Sequence, residues 1–83
     1  MILKVFSVYD SKVEAYMTPF FMHSKGQAIR SFMDTIADSN TQFAKHPEDF
    51  TLFLLGDYDD QTGKFVMSAT PMSCGTAVEL LPK

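Results

Sequence analysis

The sequence predicts an α+β fold: a mainly antiparallel sheet of four to five strands with one helix, in the order β-β-α-β-β plus a short C-terminal element. Three observations predict it. Ile2 to Tyr9 and Phe50 to Leu55 are rich in β-branched and aromatic residues and hold neither Gly nor Pro. A single stretch, Ala28 to Ala37, places its apolar residues at a helical period. One helix among several strands packs on one face of an antiparallel sheet. With 83 residues, 46% of them apolar and 20% charged, the expected organisation is one domain spanning 1–83.

The elements follow in order. Ile2 to Tyr9 presents apolar residues on both faces, Ile2, Phe6 and Val8 on one and Leu3, Val5 and Tyr9 on the other, which predicts a central strand covered on both sides. Asp10-Ser11-Lys12 is a polar turn. Glu14 to Met22 reads as a second strand, and Pro19 confines it to an edge or a bulge because proline has no N–H for a ladder. Ser24 and Gln27 have capping-box spacing, and Ala28, Ile29, Phe32, Met33, Ile36 and Ala37 form the apolar stripe of the helix. Arg30 and Asp34, four apart, are expected to pair weakly on its wet face. Asp38-Ser39-Asn40 ends the helix, and residues 39–49 read as a loop.

Phe50 to Leu55 is the third strand and Lys64 to Ser68 the fourth, joined by a turn that closes on Gly63. Thr70-Pro71 is expected to break the fourth strand. In the final element, Thr76 to Leu81, Val78 and Leu80 favour a strand, while Ala77, Glu79 and Leu81 allow one helical turn. Two strands apolar on both faces exceed what one helix can cover. A second subunit is the expected cover for the remaining face, so a homo-oligomer, a dimer first, is expected.

Composition narrows the function. A lone thiol, Cys74, fits a reducing compartment better than a disulfide-stapled secreted domain. The first residues lack the basic and long apolar regions of a signal peptide. The longest purely apolar run, Leu52 to Leu55, is far short of the ~20 residues that a membrane helix needs, and no membrane partner is expected. The net charge of −3 is unevenly placed. Residues 1–30 hold four basic and two acidic groups, whereas residues 31–63 hold one basic and seven acidic groups. An acidic chain can meet a nucleic acid only if those charges separate in space.

No catalytic constellation is present. There is no phosphate-binding glycine loop, no nucleophile elbow and no pair of carboxylates in an apolar setting, so no enzyme activity is expected. His23, His46 and Cys74 are not at zinc-site spacing, and Asp57-x-Asp59-x-Gln61-x-Gly63 misplaces the Gly and lacks the final Glu of a calcium loop. No metal and no cofactor are expected. The aromatic residues are the remaining signal, with eight Phe and three Tyr. Tyr9, Tyr16, Phe20 and Phe65 fall on strands near Lys4, Lys12 and Lys64. Rings beside basic side chains are how sheet modules hold single strands, although a core without Trp uses rings too.

Five segments carry a family resemblance: Lys4 to Lys12, Pro19-Phe20-Phe21, Lys25 to Arg30, Phe43 to Phe50 and Leu54 to Phe65. Together they resemble the small nonstructural protein of gokushovirus-type microviruses, phages with single-stranded DNA genomes. The resemblance implies a non-capsid phage protein made in the host bacterial cytoplasm. It also implies a DNA-binding or packaging accessory, acting where replication turns to packaged single strands. The resulting expectation is single-stranded DNA binding. Lys4, Lys12, Lys25, Arg30 and Lys64 would contact phosphates, and Tyr9, Tyr16 and Phe20 would stack on bases. The alternative is a protein-interaction module that docks on a host or phage replication or capsid protein. It would use the acidic loop, Asp57, Asp59 and Asp60, or an apolar sheet face.

Overall fold

A computed structural model describes residues 1–81. The α+β class and the antiparallel sheet are as the sequence predicts. Strand β1 (Ile2–Asp10) is central. It pairs on one side with two short strands, β2 (Ala15–Tyr16) and β3 (Phe20–Met22), and on the other with β4 (Phe50–Asp59). Strand β5 (Lys64–Thr76) pairs with β4 and forms the far edge. Every pairing is antiparallel.

The expected second strand, Glu14 to Met22, is thus two strands. Met17, Thr18 and Pro19 interrupt it, and Glu14 takes a positive φ of 57° at the turn. Pro19 supplies the physical reason, since it cannot donate to the ladder. The interruption is tied down: Met17 N–H donates to the Val8 carbonyl, and Ser7 Oγ donates to the Met17 carbonyl at 2.7 Å. The Ser7 side chain is buried and is satisfied in this way.

Helix α1 (Lys25–Ala37) has the expected bounds and buries Ala28, Phe32 and Ile36. Ser24 Oγ accepts the Gln27 N–H. Gln27 Oε1 accepts the N–H of His23, one residue before the cap, so the return arm of the box reaches one residue further back. The expected Arg30–Asp34 pair does not form: the ion pairs among the described residues are Met1–Asp60 and Lys4–Asp57. The stretch 39–49, expected as loop, holds a one-turn helix α2 (Gln42–Lys45) and a 3-10 turn at Pro47–Asp49. A single hydroxyl fastens α1 to α2. Thr41 Oγ1 donates toward the Thr35 and Asp38 carbonyls and accepts the Ala44 N–H.

One further expectation is corrected, and one open alternative is decided. Strand β5 runs on through Thr70-Pro71, because an edge strand tolerates a missing N–H and a bulge there absorbs the extra residues. The last element is a helical turn, α3 (Ala77–Leu80), rather than a strand. Thr76 and Glu79 close a reciprocal capping box, which favours the helix over the weak β preference of Val78.

All three helices lie on one side of the sheet. Phe6, Val8, Phe50 and Leu52 from the strands meet Ala28, Phe32, Ile36 and Ala77 in the core, with Phe43 and Leu80 packed against it. No helix among the described residues covers the other face. Among the described residues, no helix is long and apolar enough to cross a membrane.

Candidate functional site: the uncovered sheet face

Residues directly opposite each other in an antiparallel ladder share a face. The uncovered face therefore reads off the register. From β1 it takes Leu3, Val5, Ser7 and Tyr9, and from β4, Thr51, Phe53, Gly56 and Tyr58, with Val5, Ser7 and Gly56 buried at its centre. Tyr16 joins from β2 and Phe21 from β3, while β5 adds Phe65 and Met67. None of these residues is charged.

The rings on this face form two clusters. Tyr9 lies 4.8 Å from Tyr16 and 6.4 Å from Phe53, and Tyr16 lies 5.7 Å from Phe53, centroid to centroid. At the other end, Phe21 lies 5.4 Å from Tyr58 and 6.2 Å from Phe65, and Tyr58 lies 4.7 Å from Phe65. The contacts are tilted or edge-on, the arrangements that ring quadrupoles favour. Tyr16, Phe21 and Phe65 stay exposed, so each cluster offers at least one ring to solvent.

The clusters share a face because of one extra residue. Phe6 pairs with Leu54 and Val5 with Gly56, so Leu55 is a bulge. Were β4 regular through Leu55, Phe53 and Tyr58 would point to opposite faces, because they are five positions apart and side chains alternate.

The expected site residues separate into groups. Tyr9 and Tyr16 come together on the uncovered face. Phe20 lies on the covered face, stacked on Phe6 at 5.9 Å and packed against the core. Its neighbour Phe21 is the ring on the open side, and Phe53 and Tyr58 complete the clusters. Sequence reasoning missed these three, because neither the Leu55 bulge nor the side that α1 covers shows in the residue pattern. Lys4 lies opposite Asp57 and Met22 on the covered face, with its Nζ 3.3 Å from Asp57 Oδ1. Lys64 begins β5 opposite Asp59. Lys12 stands in the β1–β2 turn, and Lys25 and Arg30 lie on α1, all three exposed. The expected phosphate contacts thus ring the molecule instead of meeting on one face.

The acidic loop is engaged within the chain. Asp60 Oδ1 accepts from the Met1 amine at 2.8 Å, and this hydrogen bond raises the amine above its usual 8.0. Asp59 Oδ1 accepts the Gln61 N–H, which leads the interactions that hold its carboxyl below the usual range. On the covered side, a cavity of about 310 Å³ opens beside α1, lined by Met17, Phe20, Met22, Phe32, Thr35 and Phe43. Cys74 is half-buried at the core margin, and burial pushes its thiol up. His46, Glu48 and Asp49 bring their ligand atoms within 4.8 Å of one another on the 3-10 turn. His46 and Glu48 are exposed there, and water competes with any ion for them.

Comparison with known proteins adds lineage to this geometry. A family model described as Phage ORF5 protein matches residues 3–80. Protein ORF5 of Chlamydia phage 1 is 36% identical over 64 residues, covering 72% of this chain and 67% of the relative. No solved structure matches.

Proposed function

Taking as premise that the chain belongs to the Phage ORF5 protein family, shown by the match over residues 3–80, we propose that it binds the phage's single-stranded DNA during genome replication or packaging, in the host bacterial cytoplasm. Bases stack on the uncovered face. The observation that carries this reading is the pair of ring clusters on one uncharged, helix-free sheet face, with Tyr16, Phe21 and Phe65 exposed. Stacking on such rings is tolerant of sequence and contributes ~1–3 kcal/mol per base. A duplex hides its bases' faces and gains nothing from the rings. Lys12 and Lys64 supply phosphate contacts at the margins, Lys25 and Arg30 lie on α1 behind the sheet, and Lys4 contributes little while paired with Asp57.

The test is anisotropy titration of a labelled single-stranded oligonucleotide, with the matching duplex as comparison. The wild-type chain binds the single strand more tightly. The double variant Tyr16→Ala, Phe65→Ala loses about tenfold or more in affinity while its circular dichroism is unchanged. Absence of single-strand binding at low salt, or a double variant that binds as the parent does, overturns the proposal.

A second reading is favoured by one observation: the ringed face holds no cation. An apolar patch on a protein partner would fit such a face as well. The acidic loop is the weaker dock, since Asp57 and Asp60 already hold Lys4 and the N-terminus. A phage or host protein that stays bound after nuclease treatment, and is lost in the same double variant, supports this reading.

A further inference from the structure

Among the described residues, strand β5 has a partner on one side only. From Lys64 to Ser73 every residue is exposed, and between Lys64 and Glu79 no residue is charged. Proteins blunt an open edge with charge, proline, a bulge or brevity. Here the second half is blunted by the bulge opposite Leu55 and by Pro71. The first half, Lys64 to Ala69, has only its terminal lysine. Phe65 is 53% exposed, Val66 71% and Met67 50%, so this stretch is bare on both faces.

We infer that this half-strand pairs antiparallel with the same half-strand of a second copy, joining two sheets edge to edge. An open ladder edge presents backbone N–H and C=O groups in a row, and the occupant that satisfies such a row is another extended strand. Three features select a copy of this chain.

The first is electrostatic. Each copy has a net charge of −3, and a contact between copies is least opposed where no acidic side chain lies. β5 is that place. The second is symmetry. A two-fold axis normal to the sheet sets residues of the same face opposite each other. Centred on Val66, it places Phe65 of each copy against Met67 of the other, a sulfur–aromatic pair made twice. It also places Val66 against Val66 and Lys64 against Ser68, with no like charges opposed. The third is area. The ladder runs only from Lys64 to Ser68 in each copy, so it removes less area from water than the ~1,200–2,000 Å² of a stable interface. The dimer is accordingly weak and reversible, a state that a strand without charged gatekeepers can sustain only with a self-limiting partner. Pro71 and the bulge supply that limit by ending the ladder.

The pairing has a consequence for the ringed face. Phe65 lies at the sheet edge, so the joined sheets carry two sets of rings side by side on one continuous face. The inference does not depend on what those rings bind.

Sedimentation equilibrium of the full chain, over about a hundredfold range of concentration, tests the pairing. A monomer–dimer equilibrium is expected. Val66→Lys sets two like charges opposite each other at the axis and weakens the dimer about tenfold or more, with unchanged thermal unfolding of the monomer. Val66→Cys in a Cys74→Ser background gives a covalent dimer on mild oxidation. A chain that stays monomeric throughout, a dimer untouched by Val66→Lys, or assembly beyond two copies overturns the inference. A wild-type chain that stays monomeric and still binds DNA overturns the pairing and leaves the proposed function standing.

Discussion

Gly56 stands hard against the backbone of β5. A Cβ placed there would lie 2.5 Å from the Val66 carbonyl oxygen and 2.7 Å from Met67 Cα. Both are backbone atoms of the paired strand, so no rotamer change relieves the clash. Gly56→Ala must part the two strands beside the Leu55 bulge, and about 1–3 kcal/mol of stability is lost, as in overpacked cores. Gly63 makes the useful contrast. Its φ of +74° strains an alanine, but nothing lies within 4 Å of the added carbon. Urea unfolding of the two variants should show the lower midpoint for Gly56→Ala, together with weaker protection of the Val66 and Met67 amides. Equal midpoints with unchanged amide protection would mean that the strands separate there without cost. The same scale explains why the ring assignment from sequence was incomplete. Alternation says that Phe20 and Phe21 face opposite ways, but only the packing of α1 decides which side is the core.

Elements show where local pattern suffices and where it fails. Helix α1 was legible because its apolar period, its serine cap and its polar end all agree. Helix α3 was legible in principle from Thr76-x-x-Glu79, yet four residues hold too little periodicity to outweigh Val78 and Leu80. The split of the second strand was half legible, through Pro19. The Leu55 bulge was not, because Phe50 to Leu55 is apolar at nearly every position and carries no alternation from which a slip could be seen. That bulge is nonetheless what assembles the ringed face. Deleting Leu55 removes the extra residue and leaves a regular ladder with the same partners, so every side chain from Gly56 to Asp59 keeps its face. Tyr58 stays on the ringed face, and Asp57 stays opposite Lys4. The expected outcome is that nuclear Overhauser contacts from Tyr58 to Phe21 and Phe65 persist, together with those among Tyr9, Tyr16 and Phe53. Loss of the Tyr58 contacts on deletion would mean that Leu55 is not the residue that sets the phase of β4.

At the scale of the whole molecule, charge decides what kind of binder this can be. The sequence separates a basic first third from an acidic middle, but the antiparallel pairing of β1 with β4 lays one on the other. Lys4 meets Asp57, the N-terminus meets Asp60, and Lys64 starts its strand opposite Asp59. Sequence distance thus becomes mutual neutralisation, which no reading of composition along the chain could reveal. The consequence is measurable. Each phosphate neutralised on a single strand contributes about −0.7 to the slope of log affinity against log salt. Convergence of Lys12, Lys25, Arg30 and Lys64 on one strand would give a slope near about −3. These residues lie on separate elements, around a face whose own residues are uncharged. Binding driven by the rings should therefore show a slope no steeper than about −1.5, the signature of two phosphate contacts at most. Titrations of one oligonucleotide at several salt concentrations read this directly. A slope near about −3, insensitive to Tyr16→Ala and Phe65→Ala, would place the strand on the lysines and take the rings out of the binding surface.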